Sequence, residues 1–257
     1  MIPKIIHYCW FGKKEKPDNI KKCIMSWKNN CPDYEVIEWN EENFDVNSFD
    51  YCAEAYAEGK YAFVSDVARA KALYDYGGIY LDTDVTVLKT FDGILDNSVV
   101  LGFEEGNYIA TSFMAAEPNH KLFKEFVSHY TNKHFKNCDG TYNAGTNVLQ
   151  LTKMLTDRGL VRNNQYQTLS DSITIFPKDF FSPYDYINCV YETTDNSICV
   201  HHFFVSWMSW KSRAKKRIKK VLVKVIGKNM MVKIRRRLYN MQQKGHEQSD
   251  NDFHTDI

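Results

Sequence analysis

Hydrophobic and polar positions follow two periods along most of the chain. The short apolar run "KIIHYCWF" predicts a buried first strand, the alternating "YEVIEW" predicts a second, and further strands are predicted at "VVLGFE", "ITIFP" and "SICVHHF". Apolar residues three and four positions apart predict helices over 19–30, 61–76, 120–133 and 146–155. Because strands alternate with helices, the sequence predicts an α/β domain with a mainly parallel sheet.

One apolar run, "YGGIYLDTDV", carries two acids. Gly77 and Gly78 end the preceding helix, and Asp82 and Asp84 follow within a segment that otherwise has the composition of a buried strand. Side chains alternate along a strand, so both acids are expected on one face, with Tyr80 beside them. Like charges at the edge of a core are unfavourable unless a cation lies between them, so the run predicts a bound divalent cation.

The D-x-D spacing alone has other interpretations. It also occurs at Asp250 and Asp252 near the end of the chain, and two acids at an exposed strand end need no ligand. "LDTDVT" also matches the D-x-D-x-T pattern of phosphatases, but the later acidic cluster that such enzymes need is not found downstream. A third interpretation is a Mn²⁺ or Mg²⁺ site for a nucleotide diphosphate, since carboxylates suit these hard cations.

Composition narrows the class of protein. The chain has 257 residues, of which 44% are hydrophobic, as expected for a folded domain. Its seven cysteines are odd in number and form no C-x-x-C pair, which predicts reduced thiols rather than a disulfide framework or a zinc site. With no secretory signal and no long apolar span, the expected location is the cytoplasm.

Charge divides the chain into two parts. Residues 211–237 hold 13 of the 33 Lys and Arg and none of the 32 acids, so the rest of the chain has 20 basic against 32 acidic residues, a net charge of −12. We therefore predict a globular domain over 1–210, a basic amphipathic helical segment over 211–240, and a polar, disordered tail over 241–257.

The basic segment has two faces when it is drawn as a helix. The apolar face collects Ile218, Val221, Leu222, Val225 and Val232, and the basic face collects Arg217, Lys220, Lys224, Lys228 and Arg235. Such a helix suits the anionic inner leaflet of a membrane, where each cation contributes about 1 kcal/mol. Nucleic acid is disfavoured as a partner because the rest of the chain is acidic, whereas a solvated or oligomerising helix remains the alternative.

Four motifs in order resemble one family. "IPKIIHYCWFG" is similar to its first strand, "SDVAR" to its S-D-x-x-R helix, "YGGIYLDTDV" to its metal strand, and "HHFFVSW" to its C-terminal H-H-x-x-x-S-W. The family is glycosyltransferase family 32, whose members share a D-x-D sugar-binding motif and are related to the clostridial glucosylating toxins. The resemblance covers about residues 1–210.

The resemblance implies a fold and an activity. It implies a GT-A fold and a metal-dependent glycosyltransferase that transfers a hexose or N-acetylhexosamine from a UDP-sugar, with retention of configuration. The acceptor would be a lipid-linked glycan. The basic segment would hold the enzyme near this acceptor at the inner face of the membrane. Bacterial capsule or surface polysaccharide synthesis would be the setting. A non-catalytic module that binds sugar nucleotides or membranes is the alternative from another class.

Individual roles follow from the resemblance, residue by residue. Trp10 would stack on the uracil ring, and Tyr80 would contact the ribose. Asp66 and Arg69, three residues apart on a helix, would contact hydroxyls of the donor sugar.

The metal ligands and the closing loop also follow from the resemblance. Asp84 would bind the metal and Asp82 would lie between metal and sugar, with His201 as third ligand and His202 as the substitute. The remaining expected contacts are Ser206 and Trp207 on the diphosphate and Asn143 and Asn147 on the acceptor side.

Overall fold

A computed structural model describes residues 1–186 and 188–204, with positions 223, 225–227, 230 and 233. The chain divides into two compact units, Met1–Tyr184 with Glu192–Phe204, and Asp185–Tyr191 with Val205–Ile257. Among the described residues, we find no helix with the length and apolar character to span a bilayer.

The described strands and helices lie mostly in the first unit. The strands are β1 Ile5–Cys9, β2 Glu35–Trp39, β3 Gly78–Leu81, β4 Val85–Val87, β5 Val99–Gly102, β6 Phe113–Ala116, β7 Gln167–Leu169, β8 Ile173–Phe176, β9 Tyr184–Asp185, β10 Val190–Tyr191 and β11 Cys199–His201. The helices are α1 Asp18–Asn30, α2 Asp50–Ala57, α3 Tyr61–Tyr76, α4 Lys121–Ser128, α5 Asn147–Thr156 and α6 Lys178–Phe181.

A seven-stranded sheet forms the centre of the first unit. Its strand order is β2-β1-β3-β6-β5-β8-β7. Strands β2, β1, β3, β5 and β8 run in one direction, because β1 is parallel to β2 and β3, β5 is parallel to β8, and β6 is antiparallel to both β3 and β5. Only β6 and β7 of this sheet run the opposite way. The predicted α/β class with a mainly parallel sheet is confirmed.

Two hydrophobic layers cover the sheet, and alternate residues of β3 separate between them. Tyr80 belongs to the layer that contains the buried side of α3, α4 and α5. Ile79 and Leu81 belong to the other layer, together with Trp27 of α1. The alternation expected for this strand is therefore present, and it places the hydroxyl side of Tyr80 next to helix α3.

The predicted strand through both acids is wrong in one respect. Strand β3 ends at Leu81, and Asp82 begins a tight turn in which its carbonyl accepts a hydrogen bond from the Val85 amide (3.0 Å). The chain then enters β4, which pairs with β11 outside the main sheet. The turn matters because Asp82 and Asp84 converge through the turn rather than through the alternation of a continuous strand.

Helix α1 fixes the position of β4. The indole N–H of Trp27, whose side chain is fully buried, donates to the Val85 carbonyl at 2.7 Å. Ser26 accepts from the Val87 amide at 2.9 Å, and Asn30 donates to the Val87 carbonyl at 3.1 Å. The Val85 carbonyl and the Val87 amide and carbonyl therefore have hydrogen-bond partners, although β4 does not belong to the main sheet.

Most predicted elements are confirmed, with shifts at their ends. Helix α4 is shorter than the predicted 120–133, and β11 is shorter than the predicted strand at 197–203. The described elements that were not predicted are helices α2 and α6 and strands β6, β7, β9 and β10. Strand β6 has the sequence "FMAA", whose Met and Ala residues favour helices, so pairing with β3 and β5 decides its conformation.

The Gly-Gly step between α3 and β3 has a steric cause. Gly77 and Gly78 have φ values of 66° and 91°, in the region that favours glycine. A Cβ on Gly78 would lie 2.7 Å from the carbonyl oxygen of Ile5. His7 fixes the same step, because its Nδ1 accepts from Trp39 (3.1 Å) and its Nε2 donates to the Gly77 carbonyl (2.8 Å). Burial lowers the pKa of His7 to about 4, so the neutral ring persists at neutral pH.

The basic segment and the final tail lie outside the described residues, apart from the isolated positions given above. Gly227 is one of these positions and has a φ of 78°. The boundaries at 210 and 240 and the disorder of 241–257 therefore stay predictions.

We predict that Gly78→Ala lowers the free energy of unfolding by about 3 kcal/mol, from left-handed backbone strain plus the clash with Ile5. Gly59→Ala is the matched control, because Gly59 has a φ of 65° but no atom within 4 Å of the point where an alanine methyl would lie. Urea denaturation of both variants measures the difference. Equal losses of about 1 kcal/mol would show that close packing at this step is unimportant.

Candidate functional site

The candidate site lies at one edge of the sheet. Strands β1, β3 and β5 run in the same direction, so their carboxyl ends meet there, and Trp10, Asp82 and Glu104 come directly or shortly after these ends. Strand β6 begins at the same edge, where the Ser112 carbonyl accepts from the Asp82 amide at 2.8 Å. Ligands of open α/β sheets commonly bind beyond the carboxyl ends of the strands.

Arg69 of α3 connects the helix to the sheet edge. Its Nη2 lies 3.2 Å from Asp66, and its Nη1 lies 3.1 Å from Asp82 and donates to the Thr111 carbonyl at 2.8 Å. The guanidinium carbon lies 4.6 Å from the centre of the Tyr80 ring, and the Tyr80 hydroxyl donates to Asp82 at 3.0 Å. Arg69 and Asp66 are buried, so this is not the solvent-exposed helix pair that the spacing alone also allowed.

Electrostatics within this group are strongly perturbed. Burial raises the pKa of Asp66, and although Arg69 lowers it, the neighbouring Asp82 adds to the rise, so that the pKa reaches about 7. Burial alone would lower the pKa of Arg69, but Asp82, Tyr80 and Asp66 together raise it above its ordinary value. The guanidinium is therefore the permanent positive charge of the site.

Asp84 is held by β11 rather than by α3. His201, opposite Val85 in the β4–β11 register, places its Nε2 3.3 Å from Asp84, and the Phe204 amide donates to the same carboxylate at 2.7 Å. Burial opposes ionisation of Asp84, but His201 and the Phe204 amide outweigh it and lower the pKa to about 2. Burial also opposes protonation of His201, but Asp84 raises its pKa above the ordinary value.

Asp82, Asp84 and His201 together form a set of metal-ligand atoms. One oxygen of each acid and one ring nitrogen of His201 all lie within 4.8 Å of one another. Two carboxylates and an imidazole match the ligand preferences of Mn²⁺, and the carboxylates alone match Mg²⁺. The donor set therefore fits the predicted divalent cation, which would be held by these three residues.

His202 lies on the opposite side of β11. Its Nε2 is 2.7 Å from the Thr86 hydroxyl, and its ring stacks on Phe204. The structure brings His201, and not His202, into the set with the two acids.

Buried polar atoms without a partner cluster around this edge. Within the described part of the chain, no hydrogen-bond partner is found for Nδ1 of His201, the Ser112 hydroxyl beside Asp82, or Nδ2 of Asn147. Asn147 accepts from the Thr111 hydroxyl at 3.0 Å, and the Thr111 carbonyl accepts from Arg69, so Thr111 connects Asn147 to Arg69. An unsatisfied buried group costs about 1–3 kcal/mol, so each of these atoms, like the Ser182 hydroxyl, would gain from a partner that a ligand or water supplies.

The other residues named from the sequence differ in position. Trp10 is half-buried at the end of β1, where its indole donates to the Lys14 carbonyl at 2.6 Å and Lys16 lies over its ring. The Tyr80 ring is almost fully buried under Arg69, with its hydroxyl directed at Asp82. Ser206 and Trp207 lie outside the described residues.

Glu104 is a site residue that the sequence analysis missed. Burial is the main cause of its raised pKa of about 7. The charge of Asp82 raises the pKa further, and those of His201 and Lys178 lower it. The Glu104 carboxyl therefore interacts electrostatically with two residues of the metal-ligand set. The signal was present in "VVLGFE", where an acid directly follows an apolar strand, as Asp82 follows β3.

Comparison with known proteins agrees with the motifs. The family model described as "Glycosyltransferase sugar-binding region containing DXD motif" matches residues 17–101, the stretch that contains Asp66, Arg69, Asp82 and Asp84. The resemblance to the D-x-D transferases is thereby confirmed for the stretch that carries these four residues.

The similar proteins and solved structures described here are named as glycosyltransferases. An inositol phosphoceramide mannosyltransferase of Schizosaccharomyces pombe is 28% identical over 162 residues, which cover 58% of this chain and 44% of that protein. A glycosyltransferase of Acanthamoeba polyphaga mimivirus, named as uncharacterized, is 28% identical over 224 residues, covering 80% of this chain and 84% of that protein. A solved glycosyltransferase involved in glycosylation of the major capsid of PBCV-1 aligns at 14% identity with a TM-score of 0.45, over 83% of this chain and 97% of that one. The chain thus spans less than half of the yeast relative.

We predict that Arg69→Ala lowers the free energy of unfolding by about 3–5 kcal/mol, because Asp66 and Asp82 lose their buried counter-ion. Lys71→Ala is the control on the same helix: Lys71 forms an exposed pair with Asp75, so its loss should cost under about 0.5 kcal/mol.

Chemical denaturation of both variants tests this prediction of the role of Arg69. Arg69→Lys, which keeps the charge but not the forked geometry, should fall between the two. A loss for Arg69→Ala as small as that for Lys71→Ala would show that the buried ion network does not stabilise the fold.

Proposed function

We propose that this chain is a metal-dependent glycosyltransferase that moves a hexose or N-acetylhexosamine from a UDP-sugar to a glycan acceptor. The observation that supports the proposal best is the convergence of Asp82, Asp84 and His201 beside the buried Asp66–Arg69 pair. A cation held by the first three would, when bound, offset negative charge on the departing diphosphate.

The protein's own groups would orient the donor. In this proposal, Asp66 and Arg69 bind hydroxyls of the sugar, with Arg69 held in place by its contacts to the Thr111 carbonyl and the Tyr80 ring. Trp10, half-exposed at the end of β1, would stack on the uracil base. Ser206 and Trp207 would close over the diphosphate. Retention of configuration is proposed on the family resemblance alone.

A lipid-linked acceptor is supported by the name of one relative. The yeast mannosyltransferase is named for inositol phosphoceramide, a lipid-linked acceptor. The bacterial capsule or surface polysaccharide setting stays a prediction, since the relatives described above come from a yeast and a virus.

A panel of nucleotide sugars tests the donor and the metal together. With Mn²⁺, a bound UDP-sugar should raise the melting temperature, and the nucleotide should then be released on turnover. No response to any nucleotide sugar would contradict the proposal. Stabilisation without turnover would favour the non-catalytic module, and release of phosphate from simple esters would favour the D-x-D-x-T phosphatase.

We predict that Asp84→Asn lowers Mn²⁺-dependent nucleotide release from the preferred nucleotide sugar by about 100-fold or more, because it removes a charged ligand while keeping the side-chain shape. Asp96→Asn, at an exposed acid in the loop before β5, should leave release within about twofold of the parent.

Direct titration with Mn²⁺, followed by paramagnetic relaxation of water protons, separates metal binding from turnover in these variants. Unchanged Mn²⁺ affinity and release in Asp84→Asn would remove Asp84 from the proposed metal site.

We further propose that residues 211–237 hold the enzyme at the anionic inner face of the cell membrane, in the cytoplasm. The support is the charge and amphipathic pattern of the sequence. Replacing the five cations of the basic face with Gln in the full chain should lower binding to phosphatidylglycerol-containing vesicles by at least about 100-fold.

The control for the membrane experiment replaces five exposed lysines of the first unit, Lys22, Lys28, Lys89, Lys121 and Lys124. Sedimentation with anionic and with pure phosphatidylcholine vesicles measures both variants. Equal vesicle binding by the two variants would contradict the role of the basic face.

A further inference from the structure

A large cavity lies between the end of α4 and the start of α5. Its volume is about 1090 Å³, enough for a disaccharide-sized ligand. Its lining contains three lysines and two histidines, several amide and hydroxyl side chains, and no Asp or Glu. None of Asp82, Asp84 and His201 lines it, so the cavity is distinct from the candidate metal centre.

Most of its cations are already neutralised. Lys136 pairs with Glu58 at 2.5 Å, His134 with Glu54 at 2.8 Å, and Lys153 with Asp157 at 2.8 Å. These acids belong to the surroundings of the cavity rather than to its lining.

Lys133 is the exception. Within the described ranges, no carboxylate lies within 4.0 Å of its ammonium group. The ammonium instead lies over the rings of Tyr51 and Tyr130, at 4.9 and 5.1 Å from their centres, and 3.5 Å from the His129 ring nitrogen. Aromatic faces stabilise a cation without neutralising it, so Lys133 presents a net positive charge to the cavity.

The cavity adjoins the donor side of the candidate site. Thr146 of the lining precedes Asn147, whose side chain accepts from the Thr111 hydroxyl at 3.0 Å, and the Thr111 carbonyl accepts from Arg69 at 2.8 Å. The Tyr51 hydroxyl donates to the carbonyl of Asn143, a lining residue, at 3.4 Å. Thr111 and Asn147 therefore connect the cavity to Arg69, one of the residues proposed to hold the donor sugar.

We propose that this cavity binds a phosphoryl group of the acceptor, with Lys133 as the principal cation. A phosphoryl group has several acceptor oxygens, which match the Asn132, Asn137 and Gln150 side chains along the lining. The proposal rests on the proposed function, because only a transferase has an acceptor beside its donor. The acceptor class that follows is a phosphorylated polyol or sugar, either free or as the headgroup of a lipid.

Calorimetry on the full chain can test the charge requirement with myo-inositol 1-phosphate and uncharged myo-inositol as the probes. The parent should bind the phosphorylated probe at least tenfold more tightly. Lys133→Gln should lower that affinity about tenfold, and Lys133→Arg should restore most of it. Lys124→Gln, an exposed lysine of α4 outside the lining, should change it less than twofold.

Equal binding of the two probes by the parent, or equal affinities for Lys133→Gln and Lys124→Gln, would overturn the proposal. Thermal melts establish that each variant is folded, and Lys133→Arg provides the comparison should Lys133→Gln be unstable. Vesicles with and without phosphatidylinositol distinguish a lipid headgroup from a free phosphate ester: a loss in Lys133→Gln for both ligand forms supports the shared site.

Failure of the proposed function would look different. Selective binding of myo-inositol 1-phosphate without any response to nucleotide sugars and Mn²⁺ would overturn the transferase proposal and leave an anion site. A nucleotide-sugar response without discrimination between the two inositol probes would overturn only the phosphoryl site.

Discussion

The buried guanidinium of Arg69 is the interaction on which the site depends. It pairs with Asp66 on its own helix α3 and with Asp82 at the sheet edge, and it also satisfies the carbonyl of Thr111, two residues before β6. A buried cation is stable only when its charge and hydrogen bonds are satisfied, so each partner restricts the others. The position of Asp82 is therefore fixed from α3, although the residue itself follows β3. The Gly-Gly step that joins α3 to β3 lets the chain pass close to the Ile5 carbonyl of β1 and to Pro118 after β6.

Local patterns predict the elements of this fold well, and tertiary contacts account for the failures. Helix α3 has the predicted bounds because its apolar spacing and its glycine end agree. Strand β6, in contrast, consists of Phe, Met and two Ala, and becomes a strand because it lies between β3 and β5. The break after Leu81 was also hidden, since "LDTDV" has the alternation of a continuous strand. The turn bond, the anchoring of β4 by α1 and the pairing of β4 with β11 separate the two halves.

The candidate site could be predicted as a list of residue types but not as an arrangement. The sequence indicated Asp82, Asp84 and His201 together only through the family motifs, since His201 is far away in the chain and meets Asp84 through the β4–β11 pairing. Glu104 follows an apolar run, but one acid at a strand end is not specific to a site, and Lys133 near a helix end carries no periodic signal. Their surroundings become visible only when the sheet edge and the α4–α5 cavity are assembled.

Charge balance explains why these two regions suit different ligands. At the sheet edge, Asp66, Asp82, Asp84 and Glu104 outnumber Arg69 and His201, and burial with mutual repulsion raises the pKa of Asp66 and of Glu104 to about 7. A cation arriving there would relieve that repulsion, as the proposed metal would. The cavity differs, because its other cations named above are paired with acids while Lys133, among the described residues, forms no ion pair. The carboxylates of the acidic edge would repel a phosphoryl group in the cavity. The ammonium group of Lys133 would attract it and hold it in the cavity. The acidic sheet edge would thus bind the metal with the donor, and the cavity with Lys133 would bind the acceptor. Both sites would be connected to the buried Asp66–Arg69 pair.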